Sequence, residues 1–213
     1  VQVLPDGNIY VLTSAQRDSI IDNGIALIDA NGDELRRVSL LDSFRASPYA
    51  PSLQRLPKQG DVLHVNTINI LDGSNAKQNP AFAKGNLLIS SLTLNTIAVV
   101  DFQQAPVPWA LGGMTVAQHE PTQLENGNIL VFDNRGAGET SRILEIQPST
   151  HEVVWQHPQP GGTPFYSEWC GSVQRLPNGN TLITETDNGR AFEVTPDHKI
   201  VWEYINPNQF DEK

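Results

Sequence analysis

Two histidines in this chain precede strand-like segments at nearly the same distance from a turn glycine. His119 lies eight residues before Gly127, and His64 lies nine residues before Gly73. This spacing predicts that two repeats place an imidazole at one structural address, on the innermost strands that line the channel of a propeller. Such a pair could be a nucleophile with an electrostatic partner, a metal pair, or ordinary polar residues of a water-filled pore.

A metal ion is the least favoured of these interpretations. A catalytic zinc site usually has three protein ligands, and only the two histidines share the address. Glu120 follows His119 directly, so in a strand its side chain is expected on the opposite face. The segment from Asp29 to Asp33 resembles the start of a calcium loop, but the last ligand position falls on Leu40, so a hairpin turn explains it better. The chain also lacks a phosphate-binding glycine loop, and we expect no metal and no cofactor.

The elements that would position these side chains are short strands repeated along the chain. A Gly-Asn turn that feeds an apolar strand recurs at residues 7–8, 85–86, 127–128 and 179–180. Trp109, Trp155 and Trp202 follow the last three turns at spacings of 46 and 47 residues, which match the roughly 40 to 50 residues of a four-stranded propeller blade. The pattern predicts an all-β fold, a β-propeller with about four blades visible, in which these tryptophans pack between neighbouring sheets.

The repeat also predicts the domain organisation. We expect one partial propeller domain over residues 1–213, with blade units at approximately 1–45, 46–113, 114–162 and 163–213. Fifteen prolines and sixteen glycines spread along the chain interrupt any long helical period. The one helical turn that we predict lies near residues 40–44.

The charge of the chain argues against a nucleic-acid partner. Fourteen Lys and Arg residues are dispersed among 24 Asp and Glu residues, which gives a net charge of −10. Binding to phosphates needs a stripe of basic side chains, and no such stripe occurs here. No stretch is apolar over the length that a membrane span needs. We therefore expect no nucleic-acid partner and no membrane span.

Three residues outside the tryptophan register form a separate group. We expect Tyr166 and Trp169 near the entrance of the channel, where they are candidates for stacking an aromatic substrate, and a packing role explains them equally well. Cys170 is the single cysteine, so it cannot form an internal disulfide. We expect it to be a half-buried small residue beside Trp169, in preference to a reactive thiol.

An ordered series of motifs resembles the bacterial arylsulfotransferases. The resemblance covers about residues 60–205, and the series is more specific than any one motif in it. Its members are Asn86-Leu87-Leu88-Ile89-Ser90-Ser91, Leu94-Asn95-Thr96-Ile97-Ala98-Val99-Val100-Asp101, Trp109-Ala110-Leu111-Gly112-Gly113, Gln118-His119, Gly127-Asn128-Ile129, Phe132-Asp133-Asn134 and the run from Gly171 to Ile183.

The resemblance implies a six-bladed propeller, usually exported and hence periplasmic or secreted. It also implies transfer of a sulfuryl group from an aryl sulfate to a phenol without a nucleotide sulfate donor. By motif, His119 matches the family's channel histidine, which attacks the aryl sulfate and is transiently sulfated. His64 and Asn66 match a His-x-Asn motif that helps to bind the sulfuryl oxygens. An imidazole nucleophile would divide one difficult transfer into two easier steps.

Two departures from the family pattern leave two hypotheses open. The family usually carries an arginine just after the Leu-Ile-Ser-Ser strand, where this chain has Leu92. Arg135, Arg142 or Arg175 could replace it from another blade, although a surface or structural role is the favoured interpretation of each. About four blades are visible in place of six, so we expect either missing N-terminal blades or a partner chain that covers exposed strand edges. The chain is then either an arylsulfotransferase-like enzyme or a non-catalytic β-propeller that serves as a binding or assembly module.

Overall fold

The computed structural model describes residues 1–136, 138 and 140–208. They divide into two compact units, Val1–Met114 and a second that begins at Thr115. Each unit contains two sheets whose antiparallel strands follow one another in chain order, as in the blades of a propeller. The prediction of an all-β fold built from propeller blades is therefore confirmed. The blade boundaries and the total of six blades stay predictions.

The first sheet of the first unit is a meander with one added edge strand. Its members are β1 (Gln2–Val3), β2 (Ile9–Arg17), β3 (Ile20–Ile28) and β4 (Glu34–Ser39), and β5 (Gly60–Asp61) pairs with β3 in parallel. A helix, α1 (Leu40–Arg45), follows β4 and confirms the predicted helical turn. It begins here because the side chain of Ser39 accepts a hydrogen bond from the Asp42 N–H.

The second sheet completes the core of the first unit. Its strands are β6 (Val65–Ile70), β7 (Leu87–Ser91), β8 (Thr96–Val100) and β9 (Trp109–Gly112). Short 3₁₀ helices cover Ala50–Arg55 and Pro80–Phe82. Every residue of β7 and β8 is buried, which explains why these strands are almost continuously apolar. Apolar side chains of both sheets and of α1, among them Ile25, Phe44 and Leu87, form one cluster.

The second unit has two four-stranded sheets. The third sheet of the chain contains β10 (His119–Gln123), β11 (Ile129–Asp133), β12 (Arg142–Gln147) and β13 (Glu152–His157). The fourth sheet contains β14 (Ser172–Arg175), β15 (Thr181–Glu185), β16 (Arg190–Val194) and β17 (Ile200–Ile205). Side chains from both sheets, including Phe132, Val173 and Phe192, share a core.

The recurring Gly-Asn phrase closes the same turn in all four sheets. A leucine N–H donates to the asparagine carbonyl, and the glycine N–H donates back to the leucine carbonyl. The glycines have φ between 85° and 87°, a region that side chains rarely adopt, so the turn requires glycine there. The leucine, glycine and asparagine of each turn are Leu4-Gly7-Asn8, Leu71-Gly85-Asn86, Leu124-Gly127-Asn128 and Leu176-Gly179-Asn180.

A buried glutamate fastens this turn in the third sheet. Glu145 Oε1 accepts hydrogen bonds from the side-chain amides of Asn126 (3.0 Å) and Asn128 (2.7 Å). Its other oxygen accepts from Arg175 at 2.8 Å. In the fourth sheet Glu193 accepts from the two asparagines at the equivalent turn positions, at 3.1 and 2.6 Å. This glutamate explains why each of these turns has an asparagine on both sides of the glycine.

The three recurring tryptophans have different surroundings. Trp109 is buried and its ring packs against Phe82 at 5.1 Å. Trp155 is half-buried, and the guanidinium of Arg175 lies 5.1 Å from its ring. Trp202 is 49% exposed, like the other large apolar residues of β17. The prediction that all three tryptophans pack in the core is therefore wrong for Trp202, because no described residue of this chain covers that strand.

Candidate functional site

His119 is the first residue of β10, the terminal strand of its sheet. It pairs with Phe132 on β11, and the register then shifts before Thr122. Glu120 within this bulge has a φ of 51°. A bulge redirects the side chains around it, so it sets the direction of the half-buried imidazole at the start of the strand.

The hydrogen bonds of the His119 ring define its tautomer. Nδ1 lies 3.0 Å from the Ala117 carbonyl oxygen and 2.9 Å from Asn134 Oδ1. Both partners are acceptors, so Nδ1 must carry the hydrogen and, in the neutral ring, the lone pair lies on Nε2. Among the described residues of the second unit, none forms a hydrogen bond with Nε2. The ring is thus held with an available nitrogen.

The orientation of Asn134 is fixed independently. Its Nδ2 donates to the carbonyl oxygens of Ser167 (2.8 Å) and Cys170 (2.9 Å). A carbonyl accepts only, so the amide nitrogen must face these two groups and the amide oxygen must face His119. Asn134 is fully buried, which leaves its side chain no competing water.

Two buried serines extend this network. Ser141 Oγ donates to the Asn134 carbonyl at 2.8 Å and accepts from the Ser167 N–H at 2.9 Å. The hydroxyl of Ser167 accepts from the Asp187 N–H at 3.1 Å. All three side chains of Asn134, Ser141 and Ser167 are buried and hydrogen-bonded, so the network holds residues 167–170 firmly against β11.

Two carboxylates lie next to this strand pair: Glu120 follows His119 in the chain, and Asp133 follows its strand partner, Phe132. Burial raises the pKa of Glu120, while the N–H of Val173, which donates to its Oε2 at 3.2 Å, acts in the opposite direction. Burial also raises the pKa of Asp133, opposed by the Val116 N–H at 2.7 Å and by Arg142 Nε at 2.7 Å. Asp133 therefore fastens the segment that precedes His119 to the end of β11.

The structure corrects the predicted equivalence of His64 and His119. The turn of β6 and β7 is closed by Leu71 and Gly85, and an insertion between them contains Gly73, which is not the turn glycine. Counted back from the turn leucine, His119 is five residues before Leu124, and the residue five before Leu71 is Asn66.

Backbone geometry supports the corrected alignment. The residue seven before the turn leucine is His64 in the second sheet and Ala117 in the third, and their φ values are 47° and 54°. Asn66 is thus the counterpart of His119, and His64 is the counterpart of Ala117. The prediction of two histidines at one address is wrong, because the insertion displaced the glycine from which the distance was counted.

His64 and Asn66 lie in the first unit, at the start of β6. The His64 side chain is 54% exposed, and its Nδ1 lies 3.1 Å from Asp61 Oδ2. Asp61 also accepts from the His64 N–H at 3.0 Å. Asn66 is half-buried, and Thr67 Oγ1 donates to its Oδ1 at 3.0 Å. His119 lies in the second unit, whereas His64 and Asn66 lie in the first, so each set is described within its own unit.

The candidate aromatic residues flank the segment that Asn134 holds. Trp169 is 58% exposed, with the guanidinium of Arg135 at 5.3 Å from its ring. Tyr166 is half-buried and its N–H donates to Glu185 at 3.0 Å. Cys170 is exposed, so its predicted half-burial is wrong. Its backbone carbonyl, rather than its side chain, faces inward to Asn134.

The three arginines considered as replacements for Leu92 all have carboxylate partners. Arg135 pairs with Glu168 at 3.2 Å. Arg142 pairs with Asp133 at 2.7 Å and Arg175 with Glu145 at 2.8 Å. These ion pairs give each guanidinium a role in holding the second unit together.

Gly171 occupies the address of His119 in the fourth sheet, five residues before Leu176. A Cβ at Gly171 would lie 2.6 Å from the ring of Phe132. The strand partner of His119 therefore fills the space that a side chain at this position would need. This contact explains why glycine stands there.

A second cluster of titratable side chains lies away from His119. His157, His198, Arg190, Phe165 and Phe192 line a cavity of ≈ 240 Å³. His157 is 6% exposed, and its Nδ1 has no hydrogen-bond partner among the described residues. Burial, followed by the positive charges of His198 and Arg190, lowers the pKa of His157 from 6.5 to about 4. His157 is therefore neutral at pH 7.

The described part of the chain contains no group of three or more His, Cys, Asp or Glu side chains placed to hold a metal ion. None of its helices has the length and apolar character that crossing a membrane requires.

The network around His119 contains residues that the sequence did not single out. Asn134 belongs to the Phe132-Asp133-Asn134 motif, which by itself assigns it no role, and no sequence pattern marks Ser141 or Ser167. Their importance depends on which atoms meet after folding. The Phe132-Asp133-Asn134 motif was the one sequence feature that could have pointed to Asn134.

Solved structures resemble the chain in fold, among them the following two. A protein of unknown function from Bacteroides caccae is 14% identical, with a TM-score of 0.53, over 92% of this chain and 57% of that one. The virginiamycin B lyase from Staphylococcus aureus is 16% identical, with a TM-score of 0.54, over 97% of this chain and 55% of that one. At these identities the likeness shows the fold alone. The chain spans a little over half the length of each protein.

Family comparison gives a more specific result. A family model described as arylsulfotransferase (ASST) matches residues 1–207, which is nearly the whole chain. No curated protein matches the chain.

Proposed function

Because the chain belongs to the arylsulfotransferase family, we propose that it transfers a sulfuryl group from an aryl sulfate to a phenol through a sulfated His119. One observation carries the assignment of the nucleophile. Nδ1 of His119 faces two acceptors, so the lone pair of the neutral ring lies on Nε2, which has no hydrogen-bond partner among the described residues of its unit. A nucleophile needs a lone pair of this kind.

The proposed reaction has two balanced steps. In the first, the Nε2 lone pair forms a bond to sulfur, and the bond between sulfur and the aryl oxygen breaks, so that the phenolate leaves with the bonding electrons. The ring becomes a cation that keeps its hydrogen on Nδ1. In the second, a phenol oxygen attacks sulfur, the electrons of the N–S bond return to Nε2, and the phenolic proton passes to solvent. No nucleotide takes part.

Other residues have roles that rest on the family motif. His64 and Asn66 are proposed to bind the sulfuryl oxygens, where hydrogen-bond donors would stabilise the charge that gathers during transfer. Trp169, which is exposed, and Tyr166, which is half-buried, are proposed to stack on the aromatic ring of the substrate. Because the chain spans a little over half of its solved relatives, the substrates and partners of the whole protein are part of this proposal.

A non-catalytic role is the second candidate, and one observation favours it. Leu92 replaces the arginine of the family pattern, and Arg135, Arg142 and Arg175 are all engaged by carboxylates. Removal of one preorganised donor typically reduces the rate by about 10²- to 10³-fold. A chain without that donor could serve as a binding or assembly module on a propeller scaffold.

Mass spectrometry of the intact protein and of its peptides separates the two functions. After brief incubation with an aryl sulfate, we expect one sulfuryl adduct on the peptide that contains His119, and discharge of the adduct by added phenol. His119→Ala should abolish the adduct. His151→Ala removes an exposed turn histidine and is the matched control, which should still form it.

Two results would contradict the proposed enzymatic function of His119. An adduct that persists in His119→Ala would assign the nucleophile elsewhere. A well-folded wild-type protein that forms no adduct and releases no phenol would favour the non-catalytic module.

We also propose that the protein is exported, on the family resemblance alone. Fractionation of the native host should place it in the periplasm or the medium. Recovery with cytoplasmic markers would contradict export without bearing on the chemistry of His119.

A further inference from the structure

We propose that Asn134 is the positioning residue of His119 and that its amide couples the nucleophile to residues 167–170. This inference rests on the proposed function for its catalytic meaning, but its structural content can be measured without any turnover. Asn134 touches neither substrate nor reacting atom in this proposal; it acts through the imidazole.

The first step of the argument concerns the ring. The Ala117 carbonyl is one acceptor for Nδ1, at 3.0 Å, and a single contact leaves the ring plane free to turn about it. Asn134 Oδ1 adds a second acceptor at 2.9 Å from a different segment, the one that follows β11. Two acceptors from separate segments limit both the tautomer and the rotation of the ring, so that Nε2 keeps one direction.

The second step concerns charge. When Nε2 bonds to sulfur, the ring becomes cationic and its Nδ1–H becomes a stronger donor. The oxygens of Asn134 and Ala117 already lie where this hydrogen points, so they stabilise the developing charge without reorganisation. The contribution of Asn134 is therefore larger in the transition state than in the resting ring.

The third step concerns the other end of the same amide. Nδ2 of Asn134 donates to the carbonyls of Ser167 and Cys170, and Trp169 lies between these two residues. Asn134 can present its oxygen to His119 only while its nitrogen holds this segment. One side chain thus links the direction of the nucleophile to the segment that carries the exposed Trp169.

Two substitutions separate the two ends of the amide. Asn134→Leu removes both the acceptor for His119 and the donor for the segment. Asn134→Asp keeps an acceptor for His119 but loses the donor, because a carboxylate cannot donate to two carbonyls. Ser141→Ala is the matched control, since Ser141 supports the network but does not contact His119.

The main readout is the tautomer of His119 by nitrogen NMR of histidine-labelled protein, at about pH 9 where imidazoles are neutral. The wild-type protein should have its hydrogen on Nδ1. Asn134→Leu should raise the ratio of the Nε2–H form by roughly threefold to tenfold, because one neutral hydrogen bond is lost. Asn134→Asp and Ser141→Ala should keep the wild-type tautomer.

The second readout is the reaction of Cys170 with a thiol reagent. Cys170 is the single cysteine and is exposed, so its labelling rate reports the segment directly. The rate should change in both Asn134 variants. The rate of adduct formation at His119 should fall about tenfold in Asn134→Leu, in line with the loss of one acceptor that strengthens during transfer.

The outcomes are distinct. A wild-type His119 with its hydrogen on Nε2 overturns the proposal, and this measurement needs no variant to fold. An unchanged tautomer and unchanged Cys170 labelling in a folded Asn134→Leu protein also overturn it. If the tautomer shifts as expected while wild-type protein never forms an adduct, the positioning role stands and the proposed function fails.

Discussion

Two histidines of the second unit have opposite surroundings. His119 is half-buried, and its Nδ1 faces two hydrogen-bond acceptors, which fix the orientation of the ring. His157 is buried beside His198 and Arg190, and its Nδ1 has no partner among the described residues. A buried imidazole that lacks a hydrogen-bond partner at Nδ1 and lies near two basic side chains favours the neutral form.

Burial of His157 makes the folded protein sensitive to acid. Its pKa is about 4 in the folded state against 6.5 when unfolded, so the unfolded chain binds the proton more readily. The stability contributed by the neutral ring is present above about pH 6.5 and is lost as the pH falls toward 4, at a cost of about 2 to 3 kcal/mol. His157→Phe, which cannot take up a proton, should flatten this dependence.

The measurement is the free energy of unfolding by denaturant at about pH 7 and about pH 4.5. His151→Ala is the control, because this histidine is exposed in a turn and should leave the wild-type dependence intact. Equal pH dependence in His157→Phe and wild type would assign the acid sensitivity to another group.

At the scale of the element, one turn is fastened in two ways. Glu145 and Glu193 both hold the asparagines of a Gly-Asn turn. Glu145 is buried and also pairs with Arg175, whereas Glu193 is half-buried. Equivalent hydrogen bonds from glutamate to the turn asparagines are therefore buried at Glu145 and partly exposed to water at Glu193.

This difference predicts unequal costs of removal. Glu145→Ala should destabilise the protein by about 3 to 5 kcal/mol, because Arg175 would be left in a largely buried setting without its carboxylate. Glu193→Ala should cost about 1 to 2 kcal/mol, since water can reach its turn. Unfolding curves of the two variants provide the comparison, and equal losses would show that the ion pair with Arg175 contributes nothing.

The turns also show what the sequence could and could not predict about the elements. Four glycines at φ near 85° leave a visible signature, so the sheets and the fold class were predictable. In the second sheet the distance from the histidine to the turn glycine was counted to the wrong glycine. Gly73 lies in an insertion that precedes Gly85, the glycine that closes the turn. Only the hydrogen bonds of Leu71 identify which glycine closes the turn.

At the scale of the molecule, each unit has its own apolar core shared by two sheets. The recurring tryptophans contribute to it unequally. Trp109 is 6% exposed, whereas Trp202 is 49% exposed on the outermost strand of the fourth sheet. The regular spacing of the tryptophans predicted the same packing role for both. Spacing indicates the strand on which a residue lies, but it does not indicate whether another element covers that strand.

Their substitution should therefore have very different effects. Trp109→Ala should destabilise the protein by about 3 to 5 kcal/mol through the cavity it leaves beside Phe82. Trp202→Ala should cost less than about 1 kcal/mol. Thermal unfolding of both variants checks this, and a large loss for Trp202→Ala would mean that another chain or copy covers β17 in solution.

The candidate site was predictable only in part. His119 could be singled out by spacing and motif, because a histidine at a strand entrance is a visible feature. Asn134, Ser141 and Ser167 could not be assigned roles from the sequence. Their hydrogen bonds connect residues that are far apart in the chain, and the orientation of the side chains that form them is fixed only in the folded protein.

The contact between Gly171 and Phe132 also constrains how this repeat can diverge. The ring of Phe132 occupies the volume that any side chain at position 171 would require. A side chain at position 171 therefore requires Phe132 to move or to become smaller, and the φ of 156° there strains any residue other than glycine in addition. Positions 132 and 171, on neighbouring sheets, are thus constrained together, and a histidine at position 171 would need a compensating change at Phe132.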